Sequence, residues 1–384
     1  MTGKNIVILG GGLGGIVAAS TLRKKLGGEH KITVIDKSTD HSFTPSYLWV
    51  MTGWREPSQV SKGLRMLSKR GIEFKHAEVV GIDVAKSLVQ TSGGNLEYDY
   101  LIVSLGAELA PDALPGFSGG AYTPYTLEGA VQLRDILKGF PGGETVVLVS
   151  SLPFKCPAAP YEAALLIDHL LRTKKDRDKT NIQLFTPEKL PMGVAGPELG
   201  KSVVSMLEEK GIGFNPQVKP TRIDPEKREI AFETGASVKY DLLVGVPPHK
   251  CPAVVRESDL AGETGWIPVD PKTFKTKHDN IYAIGDVTSI KLAVGLPLPK
   301  AGVFAHAQGE VAAENIALQI RGREQMKEFE GKGYCFIEIG DGKAGFASGN
   351  FYASPEPVVK LKKPGRIWHW GKVLFEKWWM GHWF

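Results

Sequence analysis

The sequence predicts an α/β protein of two strand–turn–helix domains with an amphipathic C-terminal helix. Three observations carry that reading. The chain opens with a strand, a glycine turn and a helix at residues 5–26. A second strand followed by a helix starts at Glu144. Residues 366–384 place aromatic and apolar side chains on a helical repeat. Strands alternating with helices build a parallel sheet covered on both faces, which makes the first two units Rossmann-like.

Composition narrows the class. A chain of 384 residues exceeds one ordinary core and predicts about two domains. Lys+Arg 47 against Asp+Glu 42 gives a net charge of +5. Residues 360–384 hold six bases (Lys360, Lys362, Lys363, Arg366, Lys372, Lys377) against Glu376 alone, so the rest of the chain is neutral. They also hold five of the eight tryptophans. A neutral body with a short basic tail does not predict a nucleic-acid binder. Cys156, Cys251 and Cys335 lie 95 and 84 residues apart, which excludes CxxC motifs, zinc ribbons and a disulfide framework. Met1 runs almost directly into a strand, so no signal peptide is expected. No apolar run reaches the ~18–20 residues that span a bilayer.

The first unit predicts an adenine dinucleotide site. Asn5–Leu9 is a β-rich apolar strand, and GxGxxG follows at Gly10, Gly12 and Gly15. The next strand ends in Asp36, twenty-one residues past Gly15. The glycines allow a tight turn, close approach of a pyrophosphate and close helix–strand contact, and the acid suits a ribose hydroxyl. Further along, Asp279–Asp286 is a short strand ending in Gly-Asp, followed by Pro299-Lys-Ala-Gly302 and an Ala-rich helix. This resembles the second FAD signature of the two-dinucleotide-binding flavoproteins, in which the Asp, here Asp286, reaches the ribityl or phosphate region. Tyr98–Gly106 resembles the strand and glycine turn, here Gly106, where the chain leaves such an FAD domain. FAD is the expected cofactor.

The second unit lacks the equivalent turn. After Glu144–Val149 the chain reads Ser150-Ser-Leu-Pro-Phe-Lys-Cys-Pro-Ala-Ala-Pro160, without glycine. Prolines and side chains fill the space where backbone would meet a pyrophosphate, so no NAD(P)H is expected there. Cys156 stands just ahead of a helix and beside Lys155, both of which favour a thiolate. A redox cysteine is expected.

These pieces resemble the sulfide:quinone oxidoreductase family. The matching residues are Pro153–Glu162, Val246–Lys250, Pro299–Gly302 and Tyr334–Asp341, in order across nearly the whole chain. The resemblance implies a redox pair of Cys156 and Cys335 beside the flavin, with hydrogen sulfide as donor and quinone as acceptor. Hydrosulfide would open the bridge and leave a persulfide, and chain growth would release polysulfide or sulfur. Glu162 is a proton-acceptor candidate, although an early-turn Glu also answers to the helix dipole. Lys300 stands where the family places a lysine near the flavin–quinone edge. Phe336, Phe346 and Phe351 are candidates for quinone contact, with core packing as the alternative. Family members often carry a further cysteine, in some cases linked to FAD, where Gly120–Leu127 has none. Non-covalent FAD is therefore expected, and Cys251 reads as structural. His41, His249 and His306 show no metal-ligand spacing, so no metal is expected. Type II NADH:quinone dehydrogenase and the flavocytochrome c sulfide dehydrogenase flavoprotein subunit are the alternatives.

In the tail, Ile367, Trp370, Leu374 and Trp378 form one helical stripe with Phe375 at its edge, and His369, Lys372 and Glu376 lie opposite. Tryptophans favour a bilayer interface and lysines favour anionic head groups, so residues 366–384 are expected to hold the enzyme to a membrane surface as a peripheral, monotopic foot. The expected boundaries are 1–112 with 261–325 for the FAD domain, 113–260 for the inserted degenerate nucleotide fold, and 326–384 for the quinone and membrane segment. The oligomeric state stays open, a homo-oligomer included.

Overall fold

The computed structural model describes residues 3–384. Its first sheet has five parallel strands, in the order Ile281–Ala283, Tyr100–Val103, Asn5–Leu9, Lys31–Asp36, Glu73–His76. The central strand is buried continuously from Ile6 to Leu9, as a parallel sheet covered on both faces requires. Helix Leu13–Lys25 crosses helix Gly302–Ile320 at very short range. A Cβ placed on Gly309 would stand 2.6 Å from Gly14 O.

The second sheet repeats the plan with Ile212–Asn215, Thr180–Phe185, Gly143–Val149 and Leu242–Val246, again all parallel. In each unit a three-stranded antiparallel annex precedes the return strand. Val79–Asp83, Leu88–Thr91 and Leu96–Glu97 lead into Tyr100–Val103; Pro220–Asp224, Glu229–Phe232 and Ser237–Lys239 lead into Leu242–Val246. The chain enters and leaves the second unit through one antiparallel pair, Glu108–Leu109 with His249–Lys250.

The C-terminal part is an antiparallel sheet, Lys332–Gly340, Lys343–Asn350 and Val358–Gly365, followed by helix Arg366–His382. The helix is amphipathic in the expected register, but its polar stripe faces the protein. His369 meets Glu338, Lys372 meets Glu162 and Glu376 meets Arg55. Ile367, Trp370, Leu374 and Trp378 point outward, at 71%, 60%, 64% and 46% exposure. The expectation that all the tail lysines face head groups therefore needs correcting. Lys372 is buried, because an opposite charge waits for it inside; Lys360, Lys362, Lys363, Arg366 and Lys377 are exposed.

The close helix crossing gives a direct test. Gly309→Ala should cost about 1–3 kcal/mol, because the added methyl must push apart two backbones that no rotamer change can relieve. A lowered midpoint in thermal melts of the purified protein is the expected result.

Candidate active site

The glycine turn is shaped for a ligand. Gly10 has φ +102, which favours glycine, and a Cβ on Gly15 would lie 1.9 Å from Gly10 O. Nothing comes within 4 Å of a Cβ position on Gly12, so that side of the turn is open. Helix Leu13–Lys25 begins there without a side-chain cap, leaving its first N–H groups for an anion. Asp36 accepts from Gly11 N–H at 2.6 Å and from Ser38 N–H at 2.7 Å, which fixes its carboxylate at the rim of the turn. Gly106 also has a positive φ, +69, and open space beside it. Asp286 lies in the turn Gly285–Val287 that follows the edge strand Ile281–Ala283. Burial raises its carboxyl pKa against the opposing pull of Lys300 and Lys155. These residues fit a dinucleotide: an open cradle, free helix N–H groups and two acids at its ends.

Behind the turn, His41 Nδ1–H donates to Gly11 O at 3.0 Å, and its ring stacks on Trp379 of the C-terminal helix at 5.0 Å. Burial pulls the His41 pKa down to about 4, so the ring is neutral.

In the second unit the loop after Gly143–Val149 is tied to the first. Cys156 N–H donates to Lys300 O at 2.7 Å, and Tyr125 OH donates to Cys156 O at 3.3 Å. Cys156 has φ +53, a left-handed conformation unusual for a non-glycine residue and held by these two bonds. Cys335 arrives on strand Lys332–Gly340, opposite Ala347. Both cysteines are free thiols and line one cavity of about 730 Å³, together with Glu162, Lys300, Phe336 and Lys372. Each sulfur lies within the other's electrostatic reach, since Cys156 contributes to the titration of Cys335.

The setting of Cys156 departs from the expected thiolate. Its pKa is pushed up to about 12, first by burial and then by the Glu162 carboxylate, with Lys372 pulling the other way. Burial also raises Cys335, with Cys156 and Glu162 adding to it. Lys155 is itself held below its usual pKa by burial, against the opposing pull of Asp286 and Cys156, and it is not the cation that draws the Cys156 pKa down. That cation is Lys372.

Glu162, in the first turn of helix Ala159–Lys174, is almost fully buried. Its Oε1 accepts from Lys372 Nζ at 2.5 Å and from Glu338 N–H at 3.0 Å. Burial pushes its carboxyl pKa up, and Lys372 opposes the shift. Lys300 Nζ donates to the backbone oxygens of Asp286 and Thr288 and lies 3.5 Å over the Trp266 ring. Burial brings its pKa down to about 8.

The phenylalanine candidates divide. Phe336 and Phe351 line the cavity. Phe346 does not; it stacks on Trp368 at 4.6 Å, where its strand pairs with the one bearing Phe336. Phe43 and Phe375, 5.9 Å apart, also line the cavity; the sequence reading passed over Phe43, placed Phe375 only at the edge of the outer stripe, and gave Lys372 no part here. A polar stripe on a terminal helix ordinarily means solvent, so the sequence carried no signal for an inward Lys372. Cys251 is buried among Val255 and Ile267 and does not line the cavity. His249 Nδ1–H donates to Pro247 O at 2.8 Å, and burial pulls its pKa down to about 3. Among the described residues no cluster of His, Cys, Asp or Glu could hold a metal.

The model of the pyridine nucleotide-disulphide oxidoreductase family matches residues 4–152 and 161–309. The chain belongs to this family. Its match breaks between residues 152 and 161, on the loop that carries Cys156. Among relatives of this oxidoreductase, the mitochondrial sulfide:quinone oxidoreductase of Mus musculus is 25% identical over 370 residues, covering 92% of this chain and 80% of its own. The sulfide-quinone reductase of Aquifex aeolicus is 28% identical over 392 residues, covering 98% and 90%. The X-ray structure of the Aquifex aeolicus sulfide:quinone oxidoreductase superposes with a TM-score of 0.89 at 26% identity, over 98% of this chain and 90% of that one. A type II NADH:quinone oxidoreductase of Staphylococcus aureus is 26% identical over 355 residues, covering 85% of each.

The charge arrangement predicts how the thiols behave. In reduced protein, iodoacetamide should modify Cys156 slowly near neutral pH, at a rate still climbing toward a pKa of about 12. Glu162→Gln removes the carboxylate that raises this pKa, so it should speed modification at a given pH by roughly tenfold per unit of pKa lowered. Mass-spectrometric time courses at several pH values check both.

Proposed function

We propose that the protein is a sulfide:quinone oxidoreductase, oxidising hydrogen sulfide to polysulfide or zero-valent sulfur through Cys156 and Cys335. One observation carries this reading: two cysteines from distant parts of the chain line one cavity, one of them on the loop that replaces a nucleotide turn. The match to sulfide:quinone oxidoreductases over nearly the whole chain supports it.

Non-covalent FAD would be held by Gly10, Gly12, Gly15, Asp36, Gly106, Asp286 and Lys300. When bound, FAD supplies the two-electron relay between sulfide and quinone. The chain's own residues do the rest. The Cys156–Cys335 pair presents an electrophilic sulfur to hydrosulfide in its bridged form, and a nucleophilic one once opened. Glu162 accepts the proton that hydrosulfide gives up, and its raised pKa suits a base that must hold and then release a proton. Lys372 keeps Glu162 oriented and offsets the negative charge that gathers at the two sulfurs. Apolar walls that include Phe336, Phe351, Phe43 and Phe375 exclude water and suit a quinone ring.

The outward stripe of helix Arg366–His382, ringed by exposed Lys360, Lys362, Lys363, Arg366 and Lys377, suits the interface of an anionic membrane. Among the described residues no helix is long and apolar enough to cross a bilayer, so this contact would be peripheral.

A type II NADH:quinone oxidoreductase is the second reading, favoured by the Staphylococcus aureus relative. The glycine-free loop at 150–160 speaks against a dinucleotide in the inserted domain.

Stopped-flow mixing separates the two. Sulfide should bleach the flavin absorbance and NADH should not; Cys156→Ala and Cys335→Ala should abolish the sulfide response. Glu162→Gln should slow it by about 10²–10⁴-fold, the usual span for a lost acid–base group. Bleaching by NADH alone would favour the second reading. For the membrane contact, Trp370→Glu with Leu374→Glu should abolish sedimentation with anionic liposomes while flavin content stays normal, because both side chains point away from the body.

A further inference from the structure

Glu338 lies on the strand that carries Cys335 and is fully shielded from solvent. His369 Nδ1 stands 3.1 and 3.0 Å from its two carboxylate oxygens, and its backbone N–H is the one that donates to Glu162. Thus the strand bearing one cysteine and the helix following the other meet at Glu162, and the C-terminal helix adds a cation to each carboxylate. One face of that helix makes three charge contacts: His369 with Glu338, Lys372 with Glu162, Glu376 with Arg55.

The cluster holds three carboxylates but only two constitutive cations, Lys372 and Arg55. A buried carboxylate is expensive without a countercharge or a bound proton, and His369 is the basic group in contact with Glu338. The other groups around His369 are Trp49 and Trp54, each 6.1 Å away; Arg55 lies 4.6 Å over Trp49, and His169 stands 5.7 Å from Trp54. Lys372 on the same helix is also close to Trp49, at 5.0 Å. Arg55, Lys372 and His169 oppose a charge on His369, while Glu338 in direct contact and Glu162 beyond it favour one. His369 and Arg55 are where the cluster meets water: their side chains are 17% and 20% exposed, against 0% for Glu338, 5% for Glu162 and 8% for Lys372. Of these two, only His369 can give up a proton and take it back, since a guanidinium stays charged.

We infer that His369 and Glu338 form the proton port of the cavity, His369 exchanging protons with solvent and Glu338 coupling that exchange to the Glu162–Lys372 pair. The inference rests on the reading that Glu162 takes the proton of hydrosulfide. In that step HS⁻ attacks the Cys156–Cys335 bridge, which is the oxidant. One S–S bond forms and one breaks, giving a persulfide on one cysteine and a thiolate on the other. The persulfide proton passes to Glu162, and His369 releases one proton to water, so the cluster keeps its charge. Return of the proton from Glu162 past Lys372 and Glu338 restores His369. Glu338 and His369 are positioning residues, since neither touches the reacting sulfurs.

Ring-labelled histidine NMR on the flavin-loaded protein tests the coupling without sulfide, with His369→Gln identifying the resonance. Glu162→Gln should move the pH midpoint of the His369 resonance downward by about half a pH unit or more relative to the unsubstituted protein. A midpoint that Glu162→Gln leaves unmoved overturns the proposal. In stopped flow, His369→Gln and Glu338→Gln should each slow sulfide bleaching about tenfold or more and flatten its pH profile between about 6 and 8. A wild-type rate and profile in His369→Gln, with normal melting and flavin content, also overturns it. If wild-type protein ignores sulfide but the NMR coupling stands, the substrate assignment has failed and the port has not.

Discussion

The buried pair of Glu162 and Lys372 is the constraint on which the rest of the arrangement hangs. The carboxylate comes from the helix that follows Cys156, and the ammonium from the helix that ends the chain. Removing one partner of such a pair typically costs about 3–5 kcal/mol, because the survivor is left charged in a medium that cannot solvate it. That penalty sets which way the terminal helix turns. Lys372 must point inward, so the apolar stripe on the other side of the helix must point outward. The same pair tunes the cysteines: burial holds the thiols protonated, Glu162 adds to that and Lys372 offsets it. A site that keeps its sulfurs neutral at rest and carries a cation for the moment they become charged suits a reaction that starts from a closed bridge.

The two nucleotide-type units show how little of a fold decides its chemistry. Both place a strand, a loop and a helix in the same order beside a parallel sheet. In the first, three glycines keep the loop bare and leave helix N–H groups free. In the second, the space is filled by prolines and by Cys156, whose N–H is already spent on Lys300. A bare loop fit for an anion and a filled loop carrying a cysteine thus occupy equivalent places, and the glycines make the difference.

The fold was legible because its signals are local. GxGxxG after a strand, an acid at the end of the next strand and a Gly-Asp turn each require only neighbouring residues. The cysteines were legible as candidates through the proline-rich loop and the family resemblance. What stayed hidden depends on contacts across the chain. Lys372 and His369 read as the wet side of a terminal helix, and only the waiting carboxylates of Glu162 and Glu338 reverse that. Phe346 pairs directly with Phe336 and meets its ring at 5.0 Å, yet Trp368 of the terminal helix stacks on it and it stays out of the cavity lining. The expected thiolate at Cys156 failed for a similar reason: a helix N-terminus and a lysine are visible in sequence, but the burial that outweighs them is not.

The contact of His41 with both Gly11 O and the Trp379 ring links the glycine turn to the end of the chain through one imidazole. A ligand that binds the formed turn also favours docking of the terminal helix, by mass action on whichever state presents the turn intact. The coupling is reciprocal: a docked tail favours occupancy of the turn by the same factor, so loosening either one loosens the other.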